Sequence, residues 1–145
     1  MPTAPQADAP LVKAGLLVVC FVVLALCGAQ AASAGIALNT IDSHVTQKQR
    51  GALVRSTGPI GCTRGERITI SVRVSQRETG ARARQSWTAR CTGEVQHWRV
   101  RARARHGSRF GKGPGMVCAV AETRSGSRVS ETRKWCRPVF VSAGY

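Results

Sequence analysis

Acidic residues are scarce in this chain, with 7 Asp and Glu set against 22 Lys and Arg in 145 residues, for a formal charge of +15. The mature acids Asp42, Glu66, Glu78, Glu94, Glu122 and Glu131 are dispersed, so nothing points to a hydrolase built on paired carboxylates. Histidine is equally thin. Nucleophilic catalysis needs a base held beside a nucleophile and oriented by a third group, and only His44, His97 and His106 are available. A two-histidine ribonuclease made from His97 and His106 is conceivable in a cationic chain, but the spacing does not force the pair together. Aromatic residues amount to 5% of the chain. Trp87, Trp98 and Trp135 fall on or beside apolar strand parities, which indicates core packing and leaves no exposed platform for stacking bases. No segment carries a 3.6-residue apolar period, which argues against amphipathic helices. A length of 145 residues also excludes two full-size domains. With 43% hydrophobic and 20% charged residues, the chain is too apolar for a disordered basic tail.

What is present begins with an export signal. A short polar stretch ends at Lys13 and is followed by an unbroken apolar run from Ala14 to Cys27. Small residues come next, and both Ala29-Gln30-Ala31 and Ala32-Ser33-Ala34 satisfy the small-x-small rule of signal peptidase. Residues 1–34 are therefore expected to be a signal peptide cleaved after Ala34, with Ala31 as the second choice. The alternative is an uncleaved signal anchor, since no charge interrupts Ala14 to Leu38 and about 20 apolar residues can span a bilayer. Either route places the rest of the chain outside the cytoplasm: a loose segment at 35–50 and a folded domain at 51–145.

In that oxidising setting Cys62, Cys91, Cys118 and Cys136 are expected to form two disulfides. No Cys-x-x-Cys knuckle exists to favour zinc, and no motif calls for a cofactor. Four cysteines allow three connectivities. The strand pattern favours one of them. Arg67 to Ser75 alternates strictly, with Ile68, Ile70, Val72 and Val74 on one parity. Ala81 to Cys91 and Glu94 to Arg105 alternate likewise. A glycine-rich loop, His106 to Gly115, separates these from Met116 to Thr123, Arg128 to Trp135 and Pro138 to Val141. Gly51 to Val54 and Ile36 to Val45 are candidates for one or two more, giving about seven strands. A hairpin centred on Ser127 sets Cys118 opposite Cys136, and Cys62 with Cys91 follows by elimination. Glu122 shares a parity with Met116, Cys118 and Val120, so a wet strand end or a nearby Arg is expected for it.

Gly61-Cys62-Thr63-Arg64-Gly65-Glu66, Cys91-Thr92-Gly93-Glu94 before the Trp98 strand, and Phe110-Gly111-x-Gly113-Pro114-Gly115 leading into Val117-Cys118 resemble a family of small secreted proteins of high-GC bacteria. The similarity covers roughly residues 52–141. It implies an all-β, immunoglobulin-like antiparallel sandwich and brings no activity with it. Enediyne-carrier apoproteins and subtilisin inhibitors share the two-disulfide plan, but the former are acidic and no reactive-site segment of the latter is found here.

Function is expected to follow charge. On an alternating strand Arg99, Arg101, Arg103 and Arg105 lie about 6.8 Å apart on one face, and Arg73 and Arg84 face outward on the preceding strands. Together they form a candidate surface for polyanions such as cell-wall polymer, a membrane surface or extracellular nucleic acid. The rival explanation is a solvated face that serves solubility. The expected protein is a secreted, non-enzymatic module. Its alternative is a secreted effector, either a protease inhibitor presenting Gly107 to Gly115 or a small cationic nuclease. That same loop lacks the Gly-Lys-Ser/Thr ending and the helix of a phosphate-binding loop.

Overall fold

The computed structural model describes residues 35–144, so the expected signal peptide lies outside the described residues. The clearest alternation in the sequence forms the centre of one half of the fold. Strand β3 (Arg67–Ser75) buries Ile68, Ile70, Val72 and Val74 and turns Thr69, Ser71 and Arg73 outward. It pairs antiparallel with β4 (Arg82–Arg90) on one side and β6 (Gly113–Ser125) on the other. In the other half, β5 (Gln96–Arg103) buries Trp98, Val100 and Ala102 and pairs antiparallel with β2 (Leu53–Ile60). In the first half β7 (Arg128–Ala143) pairs with β6, and β1 (His44–Lys48) joins it to β2, running parallel to β7 and antiparallel to β2.

The seven strands form one hydrogen-bonded sheet in the order β4-β3-β6-β7-β1-β2-β5. The sheet folds over its core until its edges meet. Ala83 bridges Ala104, and the Arg105 amide donates to the Arg82 carbonyl at 2.9 Å. With β2 and β5 across the core from β4-β3-β6-β7, this is an all-β, immunoglobulin-like sandwich, antiparallel as expected except where β1 runs parallel to β7. Its large central aromatic comes from β5, where Trp98 is fully buried. Gly58 on β2 makes room for that ring, because a Cβ there would stand 2.7 Å from Trp98 Cζ2 and 2.3 Å from the Thr40 carbonyl. Cys62 bonds Cys91, joining the end of β2 to the end of β4, and Cys118 bonds Cys136 across β6 and β7.

Four details depart from the sequence reading. Segment 35–50 is not loose: Ile36, Ile41 and Val45 are buried and β1 lies within it. Pairing with the last residues of β7, far away in sequence, supplies the order that local pattern lacks. The last two expected strands are one strand, β7, which passes through Pro138. Phe140 donates its amide to the Ser43 carbonyl at 2.9 Å. Pro138, two residues earlier, points its missing donor to that same side, before β1 begins, so no ladder bond is lost. The β6–β7 turn contains two residues, Gly126 and Ser127, and the register shifts at Thr123/Arg124, leaving Ser130 as the extra residue. Finally, the inward parity of β6 is Val117, Ala119, Ala121 and Thr123, so Met116, Cys118 and Val120 face out.

Candidate anion-binding surfaces

On the outer face of β2 and β5, Arg99, Arg101 and Arg103 project between the buried residues of their strand. Arg101 stands opposite Arg55, Arg99 opposite Thr57 and Arg103 opposite Leu53. A hollow of roughly 440 Å³ beside them is lined by Asp42, Arg55, Thr57, His97 and Arg99. Asp42 accepts a hydrogen bond from the Thr57 hydroxyl there and forms no ion pair among the described residues.

Arg105 does not extend that row. The bridge at Ala104 and the bond from Arg105 to Arg82 carry the chain across to β4. Arg105 therefore lines a cleft of roughly 590 Å³ with Arg73, Arg82, Arg84, Ser75, Ala83 and Cys118. Of the expected arginines, the fold brings Arg73, Arg84 and Arg105 together and leaves Arg99, Arg101 and Arg103 on the outer face of β5. Arg73 and Arg84 are direct cross-strand partners. Like charges in that relation repel, and among the described residues neither has a carboxylate to offset the repulsion. Among the described residues the ion pairs are Arg124 with Glu122 and Arg133 with Glu131, each at 2.5 Å, and both lie on β6 and β7. Glu122 thus finds the nearby Arg its parity suggested.

Arg55 escapes the sequence reading because the expected strand stops at Val54, whereas β2 runs on to Ile60. Arg82 shows its outward parity in the sequence, but only the meeting of β4 with β5 brings it beside Arg105.

The Glu131 carboxylate has a structural task. The Arg133 guanidinium, and after it the Ile36 amide donating at 2.6 Å, hold the carboxyl below its usual range. This bond ties the start of the described chain to β7.

The other chemical candidates are kept apart. His97 lines the hollow beside Asp42, whereas His106 lines a separate one with Arg82, Arg105 and Ser108. Among the described residues no three His, Cys, Asp or Glu side chains gather as metal ligands. The glycine-rich loop is held down at its centre: Phe110 is buried and its amide donates to Gly51 at 2.9 Å. Buried Gln76 clasps Gly111 from both sides, accepting from its amide at 2.8 Å and donating to its carbonyl at 3.0 Å. Gly113 and Gly115 already belong to β6. Gly107 and Arg109, ahead of this anchor, remain exposed.

No family model matches the chain, and the search of curated proteins returned no significant match. A solved β-glucuronidase of glycoside hydrolase family 2 aligns with a TM-score of 0.35 and 12% identity over 76% of this chain. The chain spans about 12% of that enzyme's length, and a likeness of this size carries no argument about activity.

Proposed function

We propose that this chain is exported and acts outside the cytoplasm as a non-enzymatic module that binds anionic polymers through its arginines. One observation carries the reading. Arg73, Arg82, Arg84 and Arg105 line a single cleft whose walls hold no carboxylate. Arg99, Arg101 and Arg103 add a second row of cations on β5, without an ion pair among the described residues. Clustered cations without internal partners favour an external anion, because binding releases the counterions condensed on a polyanion. Two disulfides fit an oxidising compartment.

The test is binding of the oxidised chain to anionic cell-wall polymer and to duplex DNA at low salt, beside an uncharged polysaccharide. Retention on both anionic polymers and not on the neutral one is expected. Passage through all three without retention overturns the reading.

A further inference from the structure

The outer face of β6 and β7 carries apolar surface that polymer binding leaves unused. Met116, Val120 and Phe140 expose 40%, 37% and 42% of their surface. The register sets them in successive rows: Pro114 beside Phe140, Met116 beside Pro138, the Cys118–Cys136 disulfide, then Val120 beside Lys134. Arg73 and Arg84 continue the disulfide row onto β3 and β4, so the apolar strip borders the arginine cleft directly. A second hollow, of roughly 610 Å³, joins the two: Pro114, Gly115 and Met116 line one wall, and Ser75 and Arg82 are shared with the cleft. Glu78 is the one carboxylate lining it.

We infer that this face docks on an anionic phospholipid surface. Met116 and Phe140 enter the boundary between headgroups and acyl chains, and Arg73, Arg82, Arg84 and Arg105 take the lipid phosphates. A soluble polyanion satisfies the arginines but offers no apolar complement to the strip. A second copy of the chain offers one, yet it brings the same arginine cleft without a carboxylate and so supplies no anion to the arginines. An anionic bilayer supplies phosphate and apolar layer side by side, in the order the face presents them. The inference rests on the polyanion reading only through its arginines. Its own content is the role of Met116 and Phe140.

Residues 34–145 form a separate compact unit holding the core and both disulfides. The oxidised fragment from Gly35 to Tyr145 is therefore the material to use, since the apolar run from Ala14 to Cys27 partitions into vesicles by itself. Co-sedimentation is measured with phosphatidylglycerol/phosphatidylcholine vesicles, with pure phosphatidylcholine vesicles and, separately, with duplex DNA. The fragment is expected to bind the anionic vesicles and not the zwitterionic ones. Met116→Ser with Phe140→Ser should weaken vesicle binding about tenfold or more and leave DNA binding and thermal unfolding unchanged. Arg73→Ser with Arg84→Ser should weaken both. Absence of vesicle binding, or equal vesicle binding by the parent and the Met116/Phe140 variant, overturns the inference and leaves polymer binding standing. Vesicle binding that needs Met116 and Phe140, together with no binding to DNA or wall polymer, supports the inference and removes the broader reading.

Discussion

The two outer faces of the sandwich are both basic, but they are built differently. On β2 and β5 the outward positions alternate cleanly with a deep core, so Arg99, Arg101 and Arg103 stand over Trp98, Val100 and Ala102 in a purely polar row. On β4-β3-β6-β7 the arginines of two strands border an apolar strip and an exposed disulfide on the other two. Charge alone suits the first face to any polyanion. Charge beside apolar surface suits the second, under the proposal above, to an anionic bilayer.

The sharpest way to break the first face is from beneath. Trp98 is fully buried against Gly58, and Trp98→Ala is expected to cost about 3–5 kcal/mol in denaturant unfolding of the oxidised chain. Of the two disulfides, Cys62–Cys91 ties β2 of the first face to β4 of the second, and Cys118–Cys136 lies within the second. Removing Cys62–Cys91 should cost about 3 kcal/mol or more in the chain-entropy model, because it closes the longer loop and joins strands that are not neighbours. Losing Cys118–Cys136 should cost less, since β6 and β7 remain paired along their length. Pairwise Cys→Ala variants compared by thermal unfolding give the order.

Arg84→Glu separates stability from function. It replaces a like-charge cross-strand pair with Arg73 by an opposite pair, which should stabilise the fold by about 0.2–1 kcal/mol while weakening anion binding at the cleft. Unfolding and binding measured on one preparation should move in opposite directions.

How far these faces can be foreseen depends on whether one parity is apolar and the other is not. β3 and β5 meet that condition, and their inward residues are legible from the sequence. On β6, Met116, Cys118 and Val120 compete with Val117, Ala119 and Ala121, and both parities are apolar. Local pattern has no means of choosing between them, and pairing with β3 decides. β1 offers only Val45 as an apolar anchor, so its place depends on a parallel partner almost a hundred residues away. Arg105 looks like the next member of the β5 row, and it leaves that row because the closing edge of the sheet captures its backbone. The favoured Cys118–Cys136 pairing, by contrast, follows from hairpin register, since the β-bulge lies between the disulfide and the turn and shifts the turn by a single residue, whereas Cys62–Cys91 comes only by elimination.

The smallest expected effect concerns pH and the seam between the halves. Glu131 has a folded-state pKa below its ordinary value of 4.5, so its contribution is fully present above that value and is lost as pH falls through the lower, folded one. Acid should therefore release the Ile36 amide before the core unfolds. Hydrogen exchange at Ile36 should show that pH dependence in the parent and lose it in Glu131→Gln.

The most direct measurement of the central claim is the affinity of the oxidised Gly35–Tyr145 fragment for duplex DNA as a function of salt. Two variants accompany it, one with Arg99, Arg101 and Arg103 changed to Ser and one with Arg73, Arg82 and Arg84 changed to Ser. Unpaired arginines predict a steep negative slope of log affinity against log salt, made shallower in each variant by up to about 0.9 for every phosphate that it no longer neutralises. A slope near zero, or one that neither variant changes, would contradict the account.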